Sequence, residues 1–162
     1  MLTPYVVNSS IPVSKASIVK SKYPSVDSNN VFVGNEKHKL LKSKIIYGAN
    51  ASGKSKLLDA FAFMRHYVIN SSKEGQKGDE IDVHPFKLNS ETENQPSEFE
   101  IIFIYKDVQY RYGFEATKTK VISEWLFHTT SKEVPLFTRD DNEYYINNLL
   151  SALPIKLIQL NT

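Results

Sequence analysis

The sequence of 162 residues contains no cysteine, only three arginines and six glycines, and no long uncharged apolar run. Without cysteine, neither a disulfide framework nor a thiolate metal site can form. Seventeen of the twenty cations are lysines, so a base-reading surface built on guanidinium groups is not expected. No segment reaches the roughly 18 apolar residues that a membrane-spanning helix needs, and the N-terminus lacks a signal-peptide pattern. These absences predict a cytoplasmic protein without membrane contact.

The composition is that of one ordinary globular domain. Hydrophobic residues make up 41% and aromatic residues 12% of the chain, which is enough to bury a core. The net charge of +2 and the pI near 8.6 are too mild to indicate nucleic-acid binding by themselves.

Two of the few glycines lie five residues apart in an informative pattern. Residues 48–55 read G-A-N-A-S-G-K-S, which fits the phosphate-binding pattern G-x-x-x-x-G-K-[ST]. The apolar run Ile45 to Tyr47 predicts a buried strand before the loop, and the residues from Lys54 to Val68 predict a helix after it. A chance match is the alternative, and four fixed positions recur by luck in about one chain of this length in a hundred or fewer.

The chemistry of such a loop predicts ATP and Mg²⁺ as cofactors. Gly48 and Gly53 let the backbone take positive φ and approach phosphate closely, so that successive amides from about Asn50 to Ser55 can converge on it at a helix N-terminus. Lys54 is the candidate catalytic residue, because its ammonium can reach the β- and γ-phosphates. Ser55 can place its hydroxyl on Mg²⁺. The candidate nucleotide-binding residues are Gly48, Ala49, Asn50, Ala51, Ser52, Gly53, Lys54 and Ser55.

Upstream of the loop the pattern is less regular. Short apolar runs at Tyr5 to Val7, Ile11 to Val13 and Val31 to Val33 are candidate strands. A basic run precedes the loop and is either a solvated approach to it or a rim that attracts phosphate; it comprises Lys37, Lys39, Lys42 and Lys44.

Downstream of the helix, a polar loop over residues 70–80 leads into a region of strand-like sequence. Ile81 to Leu88, interrupted by Pro85, predicts an extended or edge segment. Three aromatic and β-branched runs predict an antiparallel meander, at Phe99 to Tyr105, Val108 to Phe114 and Val121 to Thr129. A further hairpin is predicted from Leu136 to Thr138 and Tyr144 to Ile146.

These elements predict an α/β protein of α+β character, with a P-loop unit over residues 1–70 and an antiparallel β-subdomain over residues 81–146. Aromatic side chains in the strands are expected to pack in the core rather than stack on bases. The four histidines, His38, His66, His84 and His128, show no metal-ligand spacing.

The run L-L-K-S-K-I-I-Y-G-A-N-A-S-G-K-S-K-L-L-D-A-F-A-F-M, from Leu40 to Met64, resembles ABC-like ATPases of the RecF and SMC branch. It is most similar to the AAA-family ATP-binding proteins of bacterial phage-defence and abortive-infection loci. Later segments also look like that group's antiparallel subdomain, namely H-P-F-K-L, S-E-F-E-I-I-F, Y-R-Y-G-F, I-S-E-W-L-F and L-F-T-R. The resemblance covers residues 40–139.

This resemblance implies an ATP-binding lobe that self-associates or joins a second ATPase lobe, with nucleic acid as a candidate further partner. It implies a second metal-site residue as well, because such ATPases place a glutamine on Mg²⁺ and the attacking water after a strand, and Ile155 to Gln159 has that form. Gln159 is therefore the candidate.

Departures from the family pattern are equally informative. The family's opening strand and turn match residues 1–12 poorly. No hydrophobic run leads into an Asp-Glu pair, no Ser-Gly-Gly-type signature occurs, and no switch histidine can be assigned. Phosphoryl transfer requires such groups to hold the metal and orient water. We therefore expect the N-terminal lobe of a larger ATPase, truncated or completed by another polypeptide, and incomplete for hydrolysis alone.

Two other interpretations remain open. A complete small GTPase or kinase is disfavoured, since D-x-x-G and N-K-x-D are absent and the arginines are few. A catalytically inert P-loop remnant that acts as a protein-interaction module is the remaining alternative.

Overall fold

The computed structural model describes residues 6–8, 28–35, 38–43, 45–50, 52–74, 80–83, 95–141 and 143–152. They form a mixed α/β fold in which one long helix, α1 (Lys54–Glu74), packs on an antiparallel sheet. The strands are β1 (Val6–Asn8), β2 (Val31–Asn35), β3 (His38–Leu41), β4 (Ser97–Tyr105), β5 (Val108–Ala116), β6 (Val121–Thr129), β7 (Glu133–Asp140) and β8 (Glu143–Ile146).

The main sheet has six strands in the order β1-β4-β5-β6-β7-β8, and each neighbouring pair is antiparallel. Strands β2 and β3 form a separate two-stranded hairpin. The predicted meander and the further hairpin are confirmed: β6 has the predicted bounds, and β4, β5, β7 and β8 are longer than the runs that predicted them. The parallel sheet that is typical of P-loop proteins does not occur in the part of the chain that the structure describes.

The meander forms because short turns join strands with alternating apolar residues. Lys106 and Asp107 both have positive φ, 48° and 65°, which is the backbone of a two-residue hairpin turn that suits the twist of the sheet. Alternate residues of β5 are then buried on one face, namely Tyr110, Tyr112, Phe114 and Ala116. The core-packing prediction is confirmed for Tyr110, Tyr112 and Phe114, but Tyr105 at the end of β4 is 38% exposed.

Helix α1 covers this face of the sheet with residues spaced at helical intervals. Ala60 and Met64 are buried, and the Phe63 ring lies 4.8 Å from that of Phe99. One turn later, the Tyr67 ring stacks on Phe114 at 4.3 Å. This aromatic contact fixes the helix on β4 and β5.

The opposite face of the sheet carries charged pairs and a tryptophan. Arg111 donates to Glu100 at 2.9 Å and to both carboxylate oxygens of Glu133 at 2.8 Å. Trp125 donates from its indole nitrogen to Glu100 at 3.1 Å and covers Gly113. This face is half-buried and polar, as expected for an antiparallel sheet with one face toward solvent.

Several predictions for the first half of the chain require correction. Helix α1 begins at Lys54 as predicted but continues to Glu74, through the segment predicted to be loop; Asn70 contacts the His66 ring one turn earlier at 2.9 Å. His38–Leu41 is a strand where only an approach to the loop was predicted. Of the two options for Ile81 to Leu88, the edge strand does not occur over residues 81–83. Predictions for residues 11–13 and 84–88 lie outside the described residues.

Candidate functional site

The segment before the glycine-rich loop differs most from its prediction. Ile45, Ile46 and Tyr47 form no strand, and they are 73%, 49% and 86% exposed. The predicted buried strand is therefore wrong for this structure. The physical reason is that a strand requires a paired neighbour, and none of the described strands lies beside this segment.

The loop itself turns sharply into the helix. The amide of Ser52 donates to the carbonyl of Ala49 at 3.3 Å, and Gly53 takes the left-handed backbone conformation with φ of 86°. The amide of Leu57 then donates to the carbonyl of Gly53 at 3.1 Å, which is the first hydrogen bond of α1. Gly53 is thus the glycine whose conformation the turn requires.

Gly48 has a steric role instead of the positive φ that the pattern predicted for it. A Cβ at Gly48 would lie 2.6 Å from Oγ of Ser52. The loop closes back on its first residue closely enough that a methyl group would displace the serine hydroxyl.

The ammonium group of Lys54 lies against its own loop. Its Nζ donates to the carbonyl oxygens of Gly48 at 2.7 Å and Ala49 at 2.6 Å, and to Oγ of Ser52 at 3.3 Å. These contacts use the three donors that a lysine ammonium possesses. A phosphate that binds Lys54 would therefore replace these oxygens as the acceptor of its hydrogen bonds.

The first turn of α1 favours an anion electrostatically. The amides of Gly53, Lys54 and Ser55 lie where an α-helix leaves its N–H groups without intrahelical partners, at the positive end of the helix dipole. No acidic residue occupies this turn. The geometry and charge of the loop fit a phosphate group.

A magnesium ion would find one protein ligand here, the exposed hydroxyl of Ser55, with phosphate oxygens and water as the others. Among the described residues, no cluster of three or more carboxylates and histidines could hold a metal ion. The donor set therefore fits Mg²⁺ bound together with a nucleotide.

The structure brings together Gly48, Ala49, Asn50, Ser52, Gly53, Lys54 and Ser55 in one loop. Ala51 and Gln159 lie outside the described residues. Of the basic run, Lys39 and Lys42 are exposed, and the other two lysines are likewise outside the described residues.

A buried polar cluster that the sequence analysis missed joins α1 to the sheet. Glu124 accepts hydrogen bonds from the Tyr112 hydroxyl at 2.8 Å and from Arg139 at 2.9 Å. Arg139 also lies close enough to Tyr67, on the helix, for its charge to oppose the rise that burial causes in the pKa of the Tyr67 hydroxyl. The sequence could have indicated this cluster, because Glu124 lies two residues before Leu126 and therefore on the same, buried face of β6.

Burial dominates the titration of this cluster. It raises the pKa of Tyr67 to about 12. Burial also raises the pKa of Glu124, against the opposing effects of the Arg139 charge and the Tyr112 hydrogen bond. The cluster is a structural connection between the helix that starts at the loop and strands β5, β6 and β7.

The fold and the loop together define a mixed α/β domain with a glycine-rich turn and a lysine at the start of its long helix. Residues 45–143 match a family model described as "AAA domain, putative AbiEii toxin, Type IV TA system". The match spans more than half of the chain, and the protein belongs to this AAA domain family. Comparison with curated proteins and with solved structures found no match. Within the described residues, no helix has the length and hydropathy needed to cross a bilayer.

Proposed function

We propose that this chain is the ATP·Mg²⁺-binding lobe of an ABC-type ATPase of the RecF and SMC branch, with a role in phage defence or abortive infection. The observation that carries the proposal is the position of Lys54 at the N-terminus of α1, where its ammonium contacts the carbonyls of Gly48 and Ala49. The defence role is supported by the family description alone.

In this proposal each part of the loop has a definite task. The amides of the first helical turn bind the β-phosphate, and Lys54 leaves the carbonyls of Gly48 and Ala49 to reach the β- and γ-phosphates. Ser55 contributes its hydroxyl to Mg²⁺, and Gln159 is the proposed second ligand. Bound Mg²⁺ neutralises charge on the phosphate oxygens.

Hydrolysis needs more than these residues. A second acid must hold the metal and a base must orient water, and the sequence contains no hydrophobic run that ends in an Asp-Glu pair. The lobe therefore binds nucleotide and hydrolyses it only when another ATPase lobe supplies those groups. The exposed apolar residues Ile45, Ile46 and Tyr47 support such a partner, because a contacting lobe would cover them.

Titration with fluorescently labelled ATP in the presence of Mg²⁺ tests nucleotide binding. Lys54→Ala should weaken binding at least about tenfold, since one phosphate-bound ammonium contributes about 1.5–3 kcal/mol. Lys56→Ala is the matched control: it removes the same charge two residues along, where the side chain is exposed and pairs with Asp59 at 3.0 Å. The control should bind within about twofold of the wild type.

The same titration separates the alternative function, an inert remnant that serves as an interaction module. That alternative is favoured by the lack of a strand at Ile45 to Tyr47, because a P-loop is preceded by a strand. It predicts no difference between the wild type and Lys54→Ala. A turnover assay adds a second test: hydrolysis by this chain alone that disappears in Lys54→Ala would contradict the proposal that the site is incomplete.

A further inference from the structure

Among the strands that the structure describes, β8 has a neighbour on one side only and forms an edge of the six-stranded sheet. Its residues Tyr144, Tyr145 and Ile146 are 59%, 49% and 52% exposed, and Leu149 just beyond them is also exposed. Edge strands are commonly protected by lysine, proline or a bulge, because their unpaired backbone groups attract another strand. The sequence of β8, E-Y-Y-I, contains neither residue, and its register with β7 is regular.

The register identifies the backbone groups that face outward. The amide of Asn147 donates to the carbonyl of Leu136 at 2.9 Å, so this residue directs its backbone groups toward β7. Because the direction alternates along an antiparallel strand, Tyr145 also faces β7, whereas Tyr144 and Ile146 direct theirs to the open edge. The edge thus offers two donors and two acceptors in an alternating row.

The side chains of β8 alternate in the same way. Tyr144 lies opposite Arg139 and Ile146 opposite Phe137, on the face that α1 covers. Tyr145 lies opposite Thr138 and is therefore on the other face of the sheet.

We propose that β8 pairs with β8 of a second copy of this chain, antiparallel across a two-fold axis, to give a continuous twelve-stranded sheet. The register places Tyr145 opposite Tyr145 of the partner subunit and Tyr144 opposite Ile146 of the partner subunit. In this register the backbone groups of Tyr144 and Ile146, which face the open edge, all form hydrogen bonds with those of Ile146 and Tyr144 of the partner subunit.

The apolar side chains match in this register. The Tyr145 pair occupies a non-hydrogen-bonded position, where directly opposite Cβ atoms approach to about 4.5–5.5 Å. Tyr144 and Ile146 form an aromatic–β-branched pair on the other face. Pairs of both kinds stabilise antiparallel sheets.

Charge also favours the antiparallel arrangement of two copies. Asp140 and Glu143 lie at one end of β8, beside Asp141, which pairs with Lys120 at 2.9 Å, and the other end, Asn147 to Leu149, is uncharged. Antiparallel pairing places each acidic end beside the uncharged end of the partner subunit. Parallel pairing would instead set the two acidic ends side by side.

Symmetry distinguishes this arrangement from pairing with the other edge of the sheet, β1. A contact between β8 and β1 of another copy joins two different surfaces and would propagate into a ring or an open filament. The two-fold pairing uses one surface twice and closes at a dimer. A four-residue strand buries less than the area of stable dimers, so we expect a reversible dimer with a dissociation constant of roughly tens to hundreds of micromolar.

Analytical ultracentrifugation of the nucleotide-free chain over a range of concentrations tests the dimer. Tyr145→Lys places two like charges opposite each other, and Ile146→Pro removes an outward amide without removing a bond to β7. Each should raise the dissociation constant at least about tenfold. Tyr105→Lys, the same type of change at an exposed tyrosine of β4, should leave it unchanged.

Disulfide cross-linking gives a position-specific readout, since the chain has no cysteine of its own. Tyr145→Cys should give a reducible covalent dimer under mild oxidation, because opposite Cβ atoms at a non-hydrogen-bonded pair lie near disulfide distance. Tyr105→Cys is the control and should remain monomeric under the same conditions.

Three results would overturn the proposal. The first is a wild type that stays monomeric up to several hundred micromolar, with no cross-link at position 145. The second is a dimer that Tyr145→Lys and Ile146→Pro leave intact while circular dichroism shows both variants folded. The third is loss of the dimer in Lys54→Ala, which would assign dimerisation to the nucleotide loop. The β8 pairing predicts that this variant dimerises normally, whether or not it binds ATP.

Discussion

The hydroxyl of Tyr112 on β5 donates a 2.8 Å hydrogen bond to the buried carboxylate of Glu124 on β6. The same carboxylate pairs with Arg139 at 2.9 Å, and the charge of Arg139 acts on Tyr67 of α1. This connection between helix and sheet is titratable, because burial raises the pKa of Glu124 above its usual 4.5.

The stability of the protein should therefore depend on pH through Glu124. A carboxyl whose pKa is raised in the folded state binds its proton there more readily than in the unfolded chain. The free energy of unfolding consequently falls as pH rises from about 4.5 through the folded-state pKa. Glu124→Gln removes this dependence, and urea unfolding between pH 4.5 and 7 should show a flatter profile for the variant.

Glu133 is the control, because its pKa is shifted in the opposite direction. Its hydrogen bonds from Arg111 lower its pKa, so its contribution is present above the unfolded pKa and is lost as pH falls through the folded pKa. Glu133→Gln should flatten the acidic limb, by at most about 1 kcal/mol because the pair is partly exposed. Parallel profiles for the wild type and Glu124→Gln would contradict the assignment.

Gly113→Ala should destabilise the fold by about 1–3 kcal/mol through overpacking. A Cβ there would lie 2.5 Å from Cζ2 of Trp125 and 2.8 Å from the carbonyl oxygen of Phe99, and neither group can rotate away. Gly34→Ala is the comparison, since its nearest neighbours are the methyl ends of Leu40 and Ile104, which can move. Thermal unfolding of both variants should rank Gly113→Ala as the less stable; the reverse order would contradict the packing argument.

Phe63→Ala should cost about 3 kcal/mol in the free energy of unfolding, the low end for such a truncation because the side chain is partly buried. Its ring contacts Phe99 at 4.8 Å and holds α1 on the sheet. Leu58→Ala, an exposed position of the same helix, should change stability by less than about 0.5 kcal/mol. Chemical denaturation measures both values, and equal losses would refute the assignment of the packed face of α1.

Gly48→Ala should separate nucleotide binding from folding. The added methyl would displace Oγ of Ser52, which is a rotatable group in an exposed loop, so the melting temperature should stay within about 1–2 °C of the wild type. The affinity of the proposed phosphate site should fall, because the loop can no longer close in the same way. Labelled-ATP titration should show weaker binding, and unchanged affinity would argue against a role for this turn in nucleotide binding.

The antiparallel half of the fold followed readily from the sequence. The aromatic and β-branched runs of β4, β5 and β6 alternate with short polar turns, and hairpins form between neighbours along the chain. Local pattern is sufficient there, because pairing partners are adjacent in sequence and the turn at Lys106 and Asp107 fixes their register.

The first half was predicted less well. An apolar run such as Ile45 to Tyr47 favours a strand, but pattern alone does not provide the neighbouring strand to which it must bond. The length of α1 was underestimated because the polar run that begins at Asn70 favours a loop by local pattern. In the structure Asn70 contacts the His66 ring one turn earlier, and the helix continues to Glu74.

By itself, the sequence determined the glycine-rich loop and the start of the helix at Lys54, because both depend on residue types at fixed spacing within a few residues. Only the tertiary structure decided that Lys54 rests on the carbonyls of Gly48 and Ala49, and that Glu124 and Arg139 meet beneath α1. Those contacts depend on where the folded backbone brings groups together in space, which no local pattern encodes.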